Sequence, residues 1–377
     1  MAISLPRFPH LAPLAMHPSF DQSDPDSDRF ERATRAYADR FRLYQDETQR
    51  ERLALARCGQ GTSFLYPAGS DELLQLAADF FTWAVAYDDE YCDEGPLSKN
   101  YVKFIQASAE IWRQFESPEY KISDDKYALA ARDLRVRLDR YAKPEQVGHM
   151  VESMQCYLMG KMWKAINRRP LLNDYLSMIC VSGSTLMFVA LVQVVPDIYM
   201  PEREYRDRRV TACSEMIAFL SACDSDLYAF EKEVARNPNE QHNMIRVLMR
   251  ERGYGEGDAI EEYMRRHSAV LGLFVRLRKD IEKSASDGLM AYLEALGFYF
   301  TGTMAWTYQS LRYRSASRTD DDTQLFTGGQ HDYEGTPEKF SEFLDVVDVP
   351  SVRWWWEYDP ARRKSQSPLS IVARQCS

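Results

Sequence analysis

The sequence contains few cysteines, and their arrangement predicts neither disulfides nor a zinc site. Seven cysteines are scattered over 377 residues, with no CxxC pair and no histidine at zinc-ligand spacing. An odd number of scattered cysteines is typical of free thiols in a reducing compartment. The pattern argues against a disulfide-rich secreted domain.

Long hydrophobic runs and an excess of basic residues are also missing. The most apolar stretch, at 185–195, has 11 residues and is too short to span a bilayer. The N-terminus lacks the charged start and long apolar stretch of a signal peptide. The formal charge of −10, from 47 basic and 57 acidic residues, argues against a general nucleic-acid binder. We therefore expect a cytoplasmic globular protein without a membrane span or a nucleic-acid partner.

Strand patterns and several familiar catalytic motifs do not occur. Alternating runs joined by Asn-Gly or Asp-Gly turns are missing, since the single Asp-Gly, at 287–288, lies between helical patterns. The sequence also lacks a glycine-rich phosphate loop, a nucleophile elbow and an HExxH motif. These absences exclude nucleotide kinases, α/β-hydrolases and zincins.

Helical periodicity dominates the sequence from Asp28 onward, where apolar residues recur at three- and four-residue spacing. Four prolines fall between the periodic segments, where helices end: Pro144, Pro170, Pro201 and Pro238. We predict an all-α fold with a single helical domain over 28–315. An irregular N-terminal segment over 1–27 precedes it, and a mobile loop and C-terminal tail over 316–377 follow it.

Several predicted helices are apolar almost all round, including AADFFTWAVAY at 77–87 and GLMAYLEALGFYFTGTMAWTYQSL at 288–311. Such a helix is buried on every side or lines an apolar cavity. The aromatic residues in these helices favour a cavity that holds a large apolar or cationic ligand. The plain core of a large helical bundle is the alternative.

The first of these helices runs directly into a cluster of acids: Asp88, Asp89, Glu90, Asp93 and Glu94. Asp89 and Asp93 stand four residues apart and would share one face of an α-helix. Close carboxylates repel one another unless a cation binds them. Mg²⁺ binds through one or two carboxylates together with substrate phosphates. The segment therefore suggests a metal-bound phosphate at the mouth of an apolar pocket, with a solvated helix end as the alternative.

Five segments carry a resemblance to a known family. They are FLYPAGSDELLQLAADFFTWAVAYDDEYCDEG (64–95), DYLSMICVSGSTL (174–186), SDLYAFEKE (225–233), QHNMIRVL (241–248) and WTYQSLRY (306–313). Together they resemble class I terpene synthases of the microbial sesquiterpene cyclase branch. The matched features are a DDxxxD motif, a diphosphate sensor with its helix break, the second metal motif, the segment that follows it, and an Arg-Tyr ending.

The resemblance implies a class I terpenoid synthase bundle around an apolar cavity and gives roles to individual residues. The implied Mg²⁺ ligands are Asp88, Asp93, Ser225 and Glu233. The implied catalytic residues are Asp88, Asp89, Gly183, Arg312 and Tyr313. The implied substrate contacts are Lys232, Arg312, Tyr313, Phe188, Trp306 and Trp83. In this interpretation the apolar helix holds a prenyl chain, and the acids hold the Mg²⁺ ions that draw off its diphosphate.

Two of the matched features depart from the family pattern. The ligand positions of the second metal motif hold Ser225, Ala229 and Glu233. Ala229 offers no ligand atom, and Ile179 stands where the sensor arginine is expected, so a bidentate diphosphate contact is missing. We expect fewer than three Mg²⁺ ions in a diphosphate complex. Lys232 is the first candidate for the replacement charge, and the basic stretch over 161–169 is the second.

The leading hypothesis is a Mg²⁺-dependent sesquiterpene cyclase that converts farnesyl diphosphate into a cyclic sesquiterpene and diphosphate, with a non-standard metal site. A chain-elongating prenyltransferase would need a second full Asp-rich motif, which is absent. A catalytically silent terpenoid-fold protein that binds a lipid is a third hypothesis, and the altered second motif favours it. A homodimer is an open alternative to a monomer.

Overall fold

The computed structural model describes three stretches of the chain, 10–236, 241–313 and 337–363. A few side chains within them, including those of Glu94 and Lys232, are not described. Of the loop and tail predicted over 316–377, residues 316–336 and 364–377 lie outside them. The described chain is helical without β-strands, which confirms the all-α prediction.

The described chain has sixteen α-helices and several shorter turns. The α-helices are α1 (Arg29–Phe41), α2 (Glu47–Leu55), α3 (Cys58–Leu65), α4 (Asp71–Tyr87), α5 (Tyr101–Glu116), α6 (Lys126–Tyr141), α7 (Pro144–Ile166), α8 (Leu172–Ser182), α9 (Thr185–Val194), α10 (Glu202–Tyr205), α11 (Arg208–Arg236), α12 (Met244–Arg252), α13 (Glu256–Ile281), α14 (Asp287–Gln309), α15 (Pro350–Arg353) and α16 (Pro360–Arg363). A π-helix (Asp88–Glu94) follows α4 directly, and 3₁₀ turns lie at Pro96–Lys99, Leu311–Tyr313, Pro337–Glu342 and Trp354–Tyr358.

Two helices, α4 and α14, form the centre of the helical domain. Ser70 caps α4 by accepting a hydrogen bond from the backbone N–H of Leu73, and the acids Asp71 and Glu72 match the positive end of the helix dipole. Most of the side chains of α4 are buried against α1, α3 and α6. Those of α14 are buried against α3, α9 and α11. These are two of the helices whose sequences lack a polar face.

One wall of the domain is an apolar helical stretch that is broken in its middle. Gly183 and Ser184 separate α8 from α9, and Ser184 has a φ of 64°, in the left-handed region. By length and composition alone, Leu172–Val194 could cross a membrane, but 61% of its most apolar window is buried in the protein. α7 covers this wall closely, since a methyl group on Gly160 would lie 2.7 Å from the backbone nitrogen of Ser182.

Both ends of the described chain pack against the helical core. The backbone N–H of Leu11 donates a hydrogen bond to Oγ1 of Thr301, at 3.1 Å. At the other end, the buried carboxylate of Asp359 accepts two hydrogen bonds from the Arg276 guanidinium, at 3.0 and 2.7 Å. The segment 337–363 is thus held on the helical domain, although the sequence did not indicate this packing.

Candidate active site

The helical domain contains a cavity of about 810 Å³. Its walls come from α4 and the π-helix, α7, the α8–α9 break, α11 and α14. Its apolar lining includes Leu65, Phe81, Ala84, Val85, Tyr157, Ile179, Phe188, Tyr299 and Trp306. Its polar lining includes Asp88, Asp93, Lys161, Lys164, Arg168, Ser225, Asp226, Glu233, Arg312 and Tyr313. One cavity therefore combines aromatic walls with a dense group of charges.

Three aromatic rings pack together in the cavity wall. The Phe81 ring centroid lies 4.5 Å from that of Trp306 and 5.0 Å from that of Phe188. The indole N–H of Trp306 donates to the carbonyl of Ala56 at 2.8 Å, so its polar atom is already satisfied. The structure places Phe188 and Trp306 at the cavity, as the sequence predicted. Phe81 was not predicted, although its seven-residue spacing from Asp88 puts both residues on one helix face.

Trp83 requires a correction, because it does not line the cavity. Its side chain is fully buried elsewhere, where its indole N–H donates to the carbonyl of Tyr127 at 3.0 Å and its ring stacks on Tyr87 at 5.2 Å. The reason is the rotation of the helix. The cavity-lining positions of α4 and its end are Phe81, Ala84, Val85 and Asp88, spaced three and four residues apart. Trp83 lies off this face, and Phe81 takes the predicted place at the wall.

The acidic motif lies on the π-helix rather than on a continuation of α4. A π-helix forms hydrogen bonds between residues five apart, so residues i and i+5 lie on one side of it. Asp88 and Asp93 accordingly both line the cavity, whereas Asp89 is not one of its lining residues. The sequence had paired Asp89 with Asp93, because that expectation assumed α-helical spacing. Such π-turns occur frequently at functional sites.

Two lysines of α7 contact the cavity-facing aspartates. Nζ of Lys161 donates a hydrogen bond to Asp88, and Nζ of Lys164 lies 3.7 Å from Oδ1 of Asp93. Enclosure in the protein would raise the pKa of Asp88, but the charges of Lys161 and Lys164 outweigh it and hold this pKa well below its usual range. Enclosure and the Asp88 charge raise the pKa of Asp93. Asp88 is therefore the firmly anionic member of the pair.

Asp89 forms a bidentate ion pair with Arg312. The two guanidinium nitrogens lie 2.8 and 2.9 Å from its carboxylate oxygens, and both side chains are largely buried. Enclosure in the protein disfavours the charged form of Arg312 and would lower its pKa. The charge and the hydrogen bonds of the Asp89 carboxylate together outweigh this effect and raise the pKa of Arg312 above its ordinary value. A two-pronged contact also fixes the orientation of the guanidinium plane at the cavity. Asp89 thus positions the predicted diphosphate-binding arginine.

The second metal motif presents two of its predicted ligand groups to the cavity from α11. Oγ of Ser225 donates to the carbonyl of Ser221 at 2.9 Å and also has a hydrogen bond with Tyr313. The carboxylate of Glu233 accepts a hydrogen bond from the Asn243 amide at 2.9 Å. Ala229, between them, lines the same wall. The side chain of Lys232, predicted as a substrate contact, lies outside the described part of the molecule.

The two aspartates beside Ser225 have different surroundings. Asp226 lines the cavity and accepts hydrogen bonds from the Tyr175 hydroxyl and, at 2.7 Å, from the backbone N–H of Met244. Burial and the neighbouring Glu233 carboxylate raise the pKa of Asp226 to about 8. Asp224 is fully buried and accepts a hydrogen bond from Tyr263. Of the two, only Asp226 could reach a ligand in the cavity.

The α8–α9 wall contributes no charge to the cavity among the described residues. Its lining members are Ile179, Gly183, Ser184, Thr185 and Phe188. The backbone N–H of Gly183 donates to the carbonyl of Ile179 at 2.9 Å, and a methyl group on Gly183 would lie 3.0 Å from that oxygen. The helix break thus leaves little room for a side chain at Gly183, and the catalytic role expected of Gly183 stays a prediction. Burial raises the pKa of Tyr313, which also lines the cavity, and a hydrogen bond with Ser225 opposes this rise.

Comparison with known proteins shows what kind of enzyme this site belongs to. The family described as terpene synthase family 2, C-terminal metal binding, matches residues 79–271. The chain is also 30% identical over 360 residues to (+)-(1(10)E,4E,6S,7R)-germacradien-6-ol synthase of Streptomyces pratensis, covering 94% of this chain and 97% of that enzyme. The chain belongs to the terpene synthase family.

A further relative agrees with this membership, and two solved structures resemble the chain in fold. The terpene synthase is 26% identical over 322 residues to the (2E,6E)-farnesyl diphosphate-cyclising 4-epi-cubebol synthase of Streptosporangium roseum, with 84% of this chain and 94% of that protein covered. The crystal structure of the SVS_A2 protein from ancestral sequence reconstruction has a TM-score of 0.74 at 24% identity, covering 93% and 98%. α-Eudesmol synthase has a TM-score of 0.68 at 16% identity, covering 81% and 99%. Both structures share the helical fold.

Terpene synthases of this family bind a divalent metal, and the cavity offers ligand atoms that suit one. Asp88, Asp93 and Glu233 present carboxylate oxygens, and Ser225 presents a hydroxyl, which are the hard oxygen ligands that such cations prefer. Within the described residues, no three acidic, histidine or cysteine side chains converge closely enough to hold a metal alone. The arrangement fits a metal that takes its remaining ligands from substrate phosphates and water.

Proposed function

We propose that this terpene synthase is a Mg²⁺-dependent sesquiterpene cyclase that ionises farnesyl diphosphate and cyclises the resulting cation. The proposal is carried by the single cavity in which carboxylates and Arg312 meet the aromatic group of Phe81, Phe188 and Trp306. Its volume of about 810 Å³ suits a small-molecule ligand of this size. Similarity to an enzyme named for cyclising (2E,6E)-farnesyl diphosphate supports the chain length.

In the first step, the bond between the allylic carbon and the diphosphate oxygen breaks, and the electron pair leaves with the diphosphate. Asp88 and Asp93 would hold Mg²⁺ together with Ser225 and Glu233, and the metal supplies positive charge that neutralises the leaving group. Arg312, oriented by Asp89, donates hydrogen bonds to the diphosphate oxygens, and Tyr313 does the same from the adjacent position. These donors stabilise charge that grows as the bond breaks.

In the second step, the allylic cation is attacked by a double bond of its own chain. The faces of Phe81, Phe188 and Trp306 stabilise the positive charge that moves along the chain. The polar atom of Trp306 is occupied by the carbonyl of Ala56, and the hydroxyl of Tyr66 donates to the carbonyl of Phe188 at 2.7 Å. At this aromatic wall, the cation therefore meets rings whose neighbouring polar groups are already paired, until it loses a proton or captures water.

The reaction is proposed to take place in the cytoplasm. The six cysteines in the described part of the chain are free thiols, which supports a reducing compartment. The homodimer suggested at the outset stays a prediction.

Incubation of the purified protein with geranyl, farnesyl and geranylgeranyl diphosphates and Mg²⁺ tests the proposal. Organic extracts are analysed by gas chromatography with mass spectrometry, and released diphosphate is measured in parallel. We expect a cyclic sesquiterpene from farnesyl diphosphate, and none when EDTA removes the metal. A lengthened prenyl diphosphate would instead show a chain-elongating prenyltransferase, and the absence of any product would show a silent lipid-binding protein.

A further inference from the structure

One side of the charged end of the cavity is formed by three cations that follow one another along the chain. Lys161 and Lys164 belong to the last turns of α7, and Arg168 follows two residues after its end. Their spacing of three and four residues places them along one side of the cavity. The C-terminal end of a helix also favours positive charge, because its unpaired carbonyls form the negative pole.

Lys161 is unusually enclosed for a lysine. Its side chain is only 5% exposed, and its ammonium group lies 5.5 Å from the ring centroid of Tyr157 and donates to Asp88. Lysine is almost never fully buried unless it is paired, because removing an ammonium ion from water costs several kcal/mol. Lys164 is less enclosed, and its ammonium group is 3.7 Å from Asp93. Each lysine thus contacts one of the two carboxylates proposed to hold the metal.

Among the described residues, the other walls offer the leaving group little positive charge besides Arg312 and the exposed Lys99. A diphosphate held by a metal on Asp88 and Asp93 must lie close to groups that contact those same carboxylates. Arg312 is shared with Asp89, and the described lining residues of the α8–α9 wall carry no charge. Ala229 contributes no ligand to a metal on the α11 side. The cations of α7 are therefore in position to compensate the charge of a diphosphate in this enclosed site.

We propose that Lys161 and Lys164 bind the diphosphate group of the substrate, and that their ammonium groups pass from Asp88 and Asp93 to its oxygens when it arrives. This inference rests on the proposed function, since it concerns the leaving group of the same reaction. Arg168, at the outer end of the row, donates a hydrogen bond to the carbonyl of Ser98 at 3.0 Å and adds charge without direct contact. The lysines thereby free the two carboxylates for the metal and receive the anion in the same exchange.

Calorimetric titration with inorganic diphosphate, with and without MgCl₂, tests this inference on the full chain. Lys161→Met and Lys164→Met each remove one ammonium group while keeping much of the side-chain volume. We expect each variant to bind diphosphate about tenfold or more weakly, because a hydrogen bond from a charged donor is lost. Lys161→Arg keeps the charge and should lose less affinity than Lys161→Met. As a control, Lys283→Met removes an exposed lysine that is paired with Asp280 and should bind as the parent does.

The outcomes separate the inference from the proposed function. It is overturned if the parent does not bind inorganic diphosphate, or if a folded Lys161→Met protein binds it as tightly as the parent. Should Lys161→Met fail to fold, as judged by circular dichroism, the same comparison on Lys164→Met decides. A parent that binds diphosphate through the lysines but forms no cyclic product refutes the proposed function alone. A parent that forms the product, with variants of unchanged affinity, refutes this inference alone.

Discussion

The three aspartates of the acidic motif are neighbours in sequence but have different partners. The ion pairs are Asp88 with Lys161, Asp89 with Arg312, and Asp93 with Lys164. Asp88 and Asp93 line the cavity, and Asp89 does not. We therefore expect the first two to bind the metal and the third to hold the arginine in place. On this proposal, one short motif supplies both the metal ligands and the carboxylate that holds Arg312.

Replacing Asp88 by asparagine should lower turnover of farnesyl diphosphate by ~10²-fold or more, because a charged contact that stabilises the leaving group is lost. Steady-state kinetics with Mg²⁺ measure the effect, and circular dichroism checks that the variant is folded. Asp124→Asn removes an exposed acid that is paired with Lys121 at the surface, and its turnover should match that of the parent. Turnover of Asp88→Asn within a few-fold of the parent would show that Asp88 is not a metal ligand.

Glu31 on α1 provides a pH-dependent contribution to stability. Burial raises its pKa from 4.5 to about 7, although the backbone N–H of Gln60 donates to its carboxylate. Between these pH values the folded protein keeps a proton that the unfolded chain has lost, so stability falls as pH rises. This loss of unfolding free energy amounts to at most about 3 kcal/mol and has reached its full size above about pH 7.

Glu31→Gln should remove this component, because glutamine carries no titrating proton. Urea denaturation at pH 5 and pH 8 should show a smaller loss of unfolding free energy in the variant than in the parent. Glu261→Gln, at an exposed position of α13, should leave the pH dependence of the parent unchanged. Parallel pH profiles for Glu31→Gln and the parent would contradict the assignment.

Among the elements, sequence periodicity was sufficient to predict the long α-helices but not the π-helix. Most of the long helices bury an apolar face or are buried all round, and the spacing of their apolar residues reflects this, whereas the short α10 has no buried residue. The π-helix depends instead on a local change in hydrogen bonding within the polar run DDEYCDE, which has no apolar period to read. The predictions that Asp89 shares a face with Asp93 and that Trp83 lines the cavity did not match the structure. Both depended on the direction of a side chain about the helix axis, which residue spacing alone did not give. The position of Arg312 at the cavity, in contrast, could be predicted from its place in the Arg-Tyr motif alone.

The contact between α7 and α8 can be tested with two glycines of the same helix. Gly160→Ala should lower the free energy of unfolding by about 1–3 kcal/mol, because the added methyl group would lie 2.7 Å from the backbone nitrogen of Ser182. Gly148→Ala should raise it by about 0.5–1 kcal/mol, because this helical position has open space around it. Urea denaturation measures both. Changes of the same sign would show that the close approach does not govern the effect.

In the molecule as a whole, the segment 337–363 joins parts of the helical domain that lie far from it in sequence. The indole N–H of Trp355 donates to the carboxylate of Glu215 on α11 at 2.9 Å, and Arg276 on α13 binds Asp359. These contacts have no signature in local spacing, because they depend on which distant helices meet. The sequence could therefore predict the class of fold but not the role of its C-terminal segment.

Asp359→Ala should destabilise the protein by about 3–5 kcal/mol, because it leaves the largely buried guanidinium of Arg276 without its carboxylate partner. Asp359 also accepts a hydrogen bond from the backbone N–H of Ala361, which adds to the loss. Asp348→Ala removes the exposed partner of Arg353 and should cost no more than about 1 kcal/mol. Urea denaturation compares the two variants with the parent. Equal losses would mean that the Arg276 pair does not anchor the segment.

The Asp89–Arg312 ion pair has a consequence for the timing of synthesis. The two residues are 223 positions apart in the chain. A ribosome that adds about 5–20 residues per second needs roughly ten seconds or longer to pass from one to the other. The nascent chain therefore carries its acidic motif well before the arginine that completes the site. On the proposed role of Arg312, the carbocation is not expected to form before this late residue has been added.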